Sequence, residues 1–109
     1  MDDTAIQTVD TFLQRVPYAR FLGMRVELAG DEMTAVLPFA QHLVGNPMLP
    51  ALHGGVIGAF MEMTALAQLS LAQPGRRVAN VQVEAWQESR AKPVAGLTGH
   101  FLLRNEPTT

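Results

Sequence analysis

The chain has 109 residues, 48% of them hydrophobic and 17% charged, so it is long enough for a domain with a core and too apolar to be disordered. Its net charge of −2, with no basic block, argues against nucleic acid as a partner. Without cysteine there can be no disulfide framework, thiolate zinc site or cysteine nucleophile. We therefore expect one globular domain over residues 1–109. The acidic N-terminal segment lacks the features of a signal peptide, which predicts a cytoplasmic protein.

The N-terminal segment predicts an amphipathic helix. Asp3 or Thr4 is a suitable cap, Pro17 ends the helix, and residues 18–23 follow as a linker with apolar anchors. The apolar residues recur at the spacing of one helix face: Ile6, Val9, Leu13 and Val16.

A hairpin and a loop come next. Residues 24–29 and 32–37 both alternate between apolar and polar, and Gly30-Asp31 between them indicates a tight turn. Residues 38–52 are rich in Pro, Gly and Asn, so we expect a loop that leads directly into the next helix.

The longest apolar run begins with His53-Gly54-Gly55 and contains one carboxylate, Glu62. A segment that is apolar nearly all round predicts a core helix, here from Gly54 to near Pro74. A buried carboxylate is costly unless it has a partner or a chemical role. Glycines at the helix start leave backbone N–H groups open to a developing negative charge. A buried base beside such a site indicates acyl chemistry, and the polar residues in the run argue against a membrane span.

The C-terminal part predicts a second hairpin. Residues 78–87 and 94–103 alternate, and the first of these strands places four small or branched side chains on one face: Ala79, Val81, Val83 and Ala85. The element order predicts an α+β fold with an antiparallel sheet wrapped around one long buried helix. His42 and His100 lack metal-ligand spacing with His53 or with each other, so no metal is expected.

The segment Gly45–Gly55, followed by an acid nine positions after His53, resembles the motif of the PaaI-like hotdog-fold acyl-CoA thioesterases. Residues 17–23 and 76–81 add weaker support, and the resemblance runs over residues 16–103. It implies the hotdog fold, hydrolysis of an acyl-CoA thioester, and no metal or organic cofactor.

This chain departs from the family in one respect. Family members usually have two further strands between the long helix and the segment that corresponds to residues 76–81, a piece on the order of 30 residues. The chain therefore resembles a hotdog protein truncated by a hairpin.

The resemblance assigns catalytic roles to three residues. Glu62 corresponds to the catalytic acid, either a base that activates water or a nucleophile; the alternative is a buried glutamate satisfied by amides. Gly54 corresponds to the oxyanion donor through its backbone N–H, although the two glycines could simply let the loop turn and the helix pack. Asn46 corresponds to a residue that orients the thioester or the water, or it makes an Asx turn before Pro47.

Three more residues are candidates for contact with substrate. His53 could bind near the thioester, although a cap on the helix start explains it more simply. Gly55 shares the glycine turn with the oxyanion donor. Thr64 lies near Glu62 along the chain and could position water, but helix packing explains it too.

Gly54 and Glu62 are eight residues apart on one helix, about 12 Å along its axis, too far to act on one carbonyl. A second, antiparallel copy of the helix would bring Gly54 of one chain to Glu62 of the other. The resemblance also implies active sites shared across a homodimer, so we expect a homodimer or tetramer with shared sites.

The leading prediction is an acyl-CoA thioesterase acting on an aromatic or medium-chain acyl group. One alternative is a non-catalytic or disabled acyl-thioester-binding protein. Another is an acyl-thioester dehydratase or hydratase, which needs a histidine as proton-transfer partner. His42 lies in a suitable loop, but its spacing to Glu62 does not match such enzymes well.

Overall fold

A computed structural model describes residues 3–29, 32–48, 51–71 and 78–103. Within these ranges the chain forms three α-helices: α1 (Asp3–Arg15), α2 (Pro17–Leu22) and α3 (Gly54–Leu69). A single turn of 3-10 helix spans Gln41–Leu43. The same ranges contain six strands: β1 (Arg25–Ala29), β2 (Glu32–Val36), β3 (Val44–Asn46), β4 (Ala51–Leu52), β5 (Val78–Ala85) and β6 (Ala95–Leu102).

Pro17 ends α1 as predicted, but the residues after it form α2 rather than a linker. Val16 is extended, as a residue before proline tends to be, and Pro17 occupies the first turn of the new helix. Gly23, with a φ of 70°, ends α2 in the left-handed region, and its N–H donates to Arg20 O. This short helix escaped sequence analysis because only five residues separate Pro17 from Gly23.

The first predicted hairpin is confirmed. Strands β1 and β2 are antiparallel, and their register ends with Ala29 opposite Glu32, which requires a two-residue connection. The predicted Gly30-Asp31 turn itself lies outside the described residues.

The second hairpin is also confirmed, with β5 antiparallel to β6 from Val78 opposite Leu102 to Ala85 opposite Ala95. Exposure alternates along both strands, with Ala79 buried and its two neighbours exposed. One face of the hairpin packs on α3 and the other meets solvent.

The segment predicted as one continuous loop contains more structure than expected. After the 3-10 turn, β3 and β4 form a small antiparallel ladder in which Val44 faces Leu52 and Asn46 faces Ala51. His53 N–H then donates to Leu43 O over 2.9 Å, which closes this ladder at the start of α3. The loop residues are therefore fixed relative to the helix.

The mixed α and β composition with antiparallel pairing agrees with the prediction, but a single wrapped sheet is not confirmed. The described strands form three separate two-stranded sheets. The core lies mainly where α1, α2, the 3-10 turn and the second half of α3 meet; its buried members are Val9, Leu13, Ala19, Leu22, Met24, Leu43 and Ala67. Helix α3 is buried on part of its circumference rather than all round, and its fully buried residues are Met61, Ala65 and Ala67.

Candidate functional site

His53 caps α3. Its backbone is extended, with φ −62° and ψ 136°, and its Nδ1 accepts a hydrogen bond from Gly55 N–H over 2.8 Å. Its carbonyl accepts from Val56 N–H and Ile57 N–H. Since Nδ1 is an acceptor here, the ring proton of the neutral imidazole lies on Nε2. The cap suggested by the sequence is thus present, and it satisfies the orphan N–H groups of the first helical turn after Gly54.

Gly54 keeps its N–H open. No acceptor for this group lies among the described residues, and a Cβ placed at Gly54 would meet nothing within 4 Å. The residue is exposed, at the positive end of the α3 dipole. An oxygen carrying developing negative charge can therefore approach the Gly54 amide directly.

Gly45 allows β3 to lie close to the start of α3, a role that the sequence analysis did not assign to it. A Cβ at Gly45 would lie 2.7 Å from the backbone Cα of His53, closer than real side chains come. Only glycine lets β3 pass this near to the helix start. The signal in the sequence was the glycine directly before Asn46.

Asn46 makes the Asx turn that was one of its two predicted roles. Its Oδ1 accepts from Met48 N–H over 3.0 Å, and the residue is exposed. The same turn leaves the side-chain NH₂ group available, because the oxygen alone makes the backbone bond. Asn46 lies at the end of β3, on the ladder that closes at the start of α3.

Glu62 is exposed in the single chain, which corrects the prediction that it is buried. The reason is the orientation of α3. The side chains of Val56, Phe60 and Met63 face the core, and the opposite side of the first two turns is uncovered. The exposed residues of α3 fall within an arc of about 100°: Gly54, Gly55, Gly58 and Glu62.

Thr64 is not brought together with Glu62. Two residues along a helix rotate a side chain by about 200°, so Thr64 lies nearly opposite the carboxylate. Its hydroxyl donates to Phe60 O over 2.8 Å. The hydroxyl is therefore engaged with the helix backbone.

The site of a single chain consists of two separated parts on one exposed helix face. The Gly54 amide is the first, with Asn46 at the end of β3 on the ladder that leads into α3, and the Glu62 carboxylate, about 12 Å farther along α3, is the second. Neither of two surface depressions found among the described residues is lined by these three residues. One chain by itself does not enclose them.

Two other kinds of site were tested on the described part of the chain. No group of three or more His, Asp or Glu side chains there could hold a metal ion. No helix in those ranges is both long enough and apolar enough to cross a membrane.

Two solved structures are similar to this one. The first is described as a protein from the thioesterase superfamily; it is 19% identical, with a TM-score of 0.77, and the match covers 94% of this chain and 100% of that chain. The second is a protein from Chromobacterium violaceum, 29% identical, with a TM-score of 0.62, and the match covers 95% of this chain and 98% of that chain.

At 19% identity, the first likeness establishes the fold: this chain has the fold of a thioesterase-superfamily protein, which fits the predicted hotdog fold. No protein-family model matches the sequence, and no curated protein does. The resemblance to the PaaI-like family therefore stays a prediction.

Proposed function

We propose that the protein is an acyl-CoA thioesterase whose active site is shared between two copies of the chain. The observation that carries this proposal is the exposed face of α3, which presents an open backbone N–H at Gly54 and a carboxylate at Glu62. These are the two groups that hydrolysis of a thioester needs: a donor for the oxyanion and a base for water.

The reaction follows from these groups. Glu62 of one copy takes a proton from water as the water oxygen attacks the acyl carbon. The carbonyl oxygen becomes an oxyanion, and the Gly54 N–H of the other copy stabilises it at the helix N-terminus. The carbon–sulfur bond then breaks, and the proton passes from Glu62 to the departing CoA sulfur, which leaves a free acid and CoA. In an alternative form of the proposal, the Glu62 carboxylate attacks the acyl carbon, the carbon–sulfur bond breaks and the CoA thiolate leaves; water then hydrolyses the anhydride to the free acid and restores the Glu62 carboxylate.

Asn46 and His53 complete the arrangement. The NH₂ group of Asn46 is available to hold the thioester or the water, since only its Oδ1 is used in the Asx turn. His53, with Gly55, keeps the first turn of α3 in place and directs its Nε2–H away from the cap. Thr64 is left out of this mechanism because its hydroxyl bonds to Phe60 O.

The PaaI-like affiliation and the loss of two strands after α3 are parts of the same proposal. The unpaired edges of β2 and β5 support it, because neither strand has a second neighbour among the described residues. An apolar helix rich in Met and Leu favours aromatic or medium-chain acyl groups. The proposal requires a homodimer or tetramer, because Gly54 and Glu62 of one chain lie too far apart to act on one carbonyl.

Release of free thiol from a panel of aromatic and medium-chain acyl-CoAs tests the activity. We expect Glu62→Gln to lower turnover by about 10²- to 10⁴-fold, the range for a general base. Glu84→Gln is the matched control, because Glu84 is an exposed carboxylate on β5. Equal turnover by wild type and folded Glu62→Gln would refute the role of Glu62.

Gly54→Pro removes the oxyanion donor with little disturbance to the helix. Proline is favoured at the first helical position, and the extended backbone of His53 suits a following proline. We expect about 10²- to 10³-fold lower turnover. Gly54→Ala keeps the N–H, and its Cβ meets nothing in the single chain, so this variant should lose much less turnover than Gly54→Pro. Equal activity of the proline and alanine variants would exclude the amide.

Mixing the two inactive variants tests whether the site is shared. A mixed dimer of Gly54→Pro and Glu62→Gln chains has one intact site, formed by Gly54 of one chain and Glu62 of the other. Random re-association should therefore restore about a quarter of wild-type activity. Mixed dimers that form but stay inactive would show that both groups act within one chain.

A second candidate is a protein that binds acyl thioesters without hydrolysing them. It is favoured by one observation, that neither surface depression includes Gly54 or Glu62. Its sign would be equal binding of an acyl-CoA by wild type and Glu62→Gln, with no thiol release by either.

A further inference from the structure

We propose that Gly58 marks the point at which two copies of α3 cross, and that its missing side chain sets the distance between Gly54 of one copy and Glu62 of the other. This inference rests on the shared site proposed above. It assigns a positioning role to a residue that does not touch substrate.

Nothing among the described residues explains a glycine at this position. Gly58 lies inside a helix, where glycine is less favourable than alanine. A Cβ at Gly58 would meet nothing within 4 Å, so no neighbour in the described chain excludes a larger residue. The residue is exposed on the side of α3 that faces away from the core. Since no described neighbour requires a bare backbone at Gly58, we assign that requirement to a second molecule packed on this face.

The position of Gly58 identifies that neighbour as a second copy. Gly58 is four residues from Gly54 and four residues from Glu62. When a two-fold axis passes through the midpoint of an antiparallel helix pair, residues equally far from the midpoint face each other. With Gly58 on the axis, Gly54 of each copy faces Glu62 of the other, and Gly58 faces itself.

Charge supports the same pairing. An antiparallel pair places the helix N-terminus, with its partial positive charge and the open Gly54 amide, opposite the Glu62 carboxylate. The face is thus complementary to itself, as a two-fold contact between identical chains requires. The rest of the exposed arc has no side chain that would hold the helices apart, since Gly55 and Gly58 complete it.

Separation of the two helices follows from the missing side chain. Packed helices lie about 8–10 Å apart, depending on the side chains between them. With Cα atoms about 2.3 Å from each axis, the two Gly58 Cα atoms would then be about 3.5–5.5 Å apart. A large side chain at residue 58 would push Glu62 away from the amide it faces.

Disulfide trapping tests this register, and the chain suits the method because it has no cysteine of its own. Two cysteines can be joined when their Cα atoms lie within about 7 Å. We expect Gly58→Cys to form a disulfide-linked dimer under mild oxidation. Gly54→Cys and Glu62→Cys should each link poorly to themselves, because their own symmetry mates lie about 12 Å away along the axis. A mixture of these two should link readily.

Glu62→Cys alone is the matched control, since it places an exposed thiol on the same face of the same helix. We expect Gly58→Cys to link at least about tenfold faster than this control. Folded Gly58→Cys that links no faster would overturn the proposal, as would a mixture of Gly54→Cys and Glu62→Cys that fails to link.

Activity separates this inference from the proposed function. Gly58→Leu should keep its fold and lose turnover, whereas Gly58→Ala should fall between the leucine variant and wild type. Full turnover by Gly58→Leu would refute the spacing role while the thioesterase assignment stands. Rapid cross-linking in a protein that hydrolyses no acyl-CoA would support the crossing point and refute the activity.

Discussion

The two halves of α3 have the same apolar composition and opposite surroundings. In the second half, Ala65 and Ala67 are 0% exposed, and Ala67 belongs to the core built with α1 and α2. Along residues 54–62, which are the first half and the residue after it, the outer face is uncovered and carries Gly54, Gly58 and Glu62. From Met63 to Leu69 no residue of α3 is exposed, whereas the part before it is covered on one side and exposed on the other. The earlier part carries the Glu62 carboxylate on a face that its own fold does not cover.

If the proposed function holds, this difference separates residues that stabilise the fold from residues that act in turnover along a single helix. Residues around the second half should determine the free energy of unfolding and leave turnover per folded molecule unchanged. Residues around the start of the helix should change turnover by more than their effect on stability explains. The following predictions test that division, beginning with the largest change in stability.

Leu22→Ala should destabilise the protein most. Leu22 is 1% exposed in the core beside the second half of α3, and truncating such a leucine costs about 2–5 kcal/mol. Leu102→Ala is the control, since Leu102 is 80% exposed. Chemical denaturation gives the free energy of unfolding and the folded fraction of each variant, and thiol release divided by that fraction gives the turnover per folded molecule. A loss of turnover in folded Leu22→Ala would break the division between the two halves.

Gly45→Ala should come next. The added Cβ would meet the His53 backbone at 2.7 Å, and relieving such overpacking costs about 1–3 kcal/mol. Gly96→Ala is the matched control, because its Cβ would make an ordinary 3.9 Å contact with Val83 O. We also expect Gly45→Ala to lower turnover below what its folded fraction predicts, as the strain falls on the helix start. Unchanged stability would show that β3 can move away from His53 freely.

His53→Ala should cost less, about 0.5–2 kcal/mol, the usual value of a lost helix cap. His53→Asn keeps a side-chain acceptor for Gly55 N–H and should recover most of that stability. Turnover separates two roles for this residue. Recovery of both stability and activity in His53→Asn would make the imidazole only a cap, whereas recovery of stability alone would indicate that Nε2–H contacts the substrate.

Much of the fold could be predicted from periodicity. The alternating segments on either side of residues 30–31 and of residues 86–94 form the two hairpins, because alternation of apolar and polar residues is typical of strands with one buried face. The ladder of β3 and β4 was missed because three- and two-residue strands carry no measurable period. Helix α2 was missed for a similar reason: Pro17 marked an end, and it also marked a start.

Local hydrogen bonds of the candidate site could be predicted from the sequence, and contacts between distant parts of the chain could not. The His53 cap and the Asn46 turn depend on neighbours two residues away, so the sequence contains their geometry. Exposure of Glu62 depends on which side of α3 meets the core. Because the sequence of α3 is apolar nearly all round, it does not indicate which side of the helix meets the core. The Gly45 contact with His53 likewise needs the chain to return on itself.

The smallest expected change in the free energy of unfolding comes from a residue that lies away from both halves of α3. Arg90, in the connection from β5 to β6, pairs with Glu32 at the start of β2 and lies over the Trp86 ring, 5.5 Å from its centroid. Both charged side chains are at least half exposed, so water and salt screen the pair. Arg90→Gln should cost less than about 1 kcal/mol in a denaturation experiment, with turnover unchanged. The cost should shrink further in high salt if charge is its source, while a salt-independent loss would assign it to the contact with Trp86. A loss above that of His53→Ala would show that this contact joins the two hairpins, and stability could no longer be assigned to the core around the second half of α3 alone.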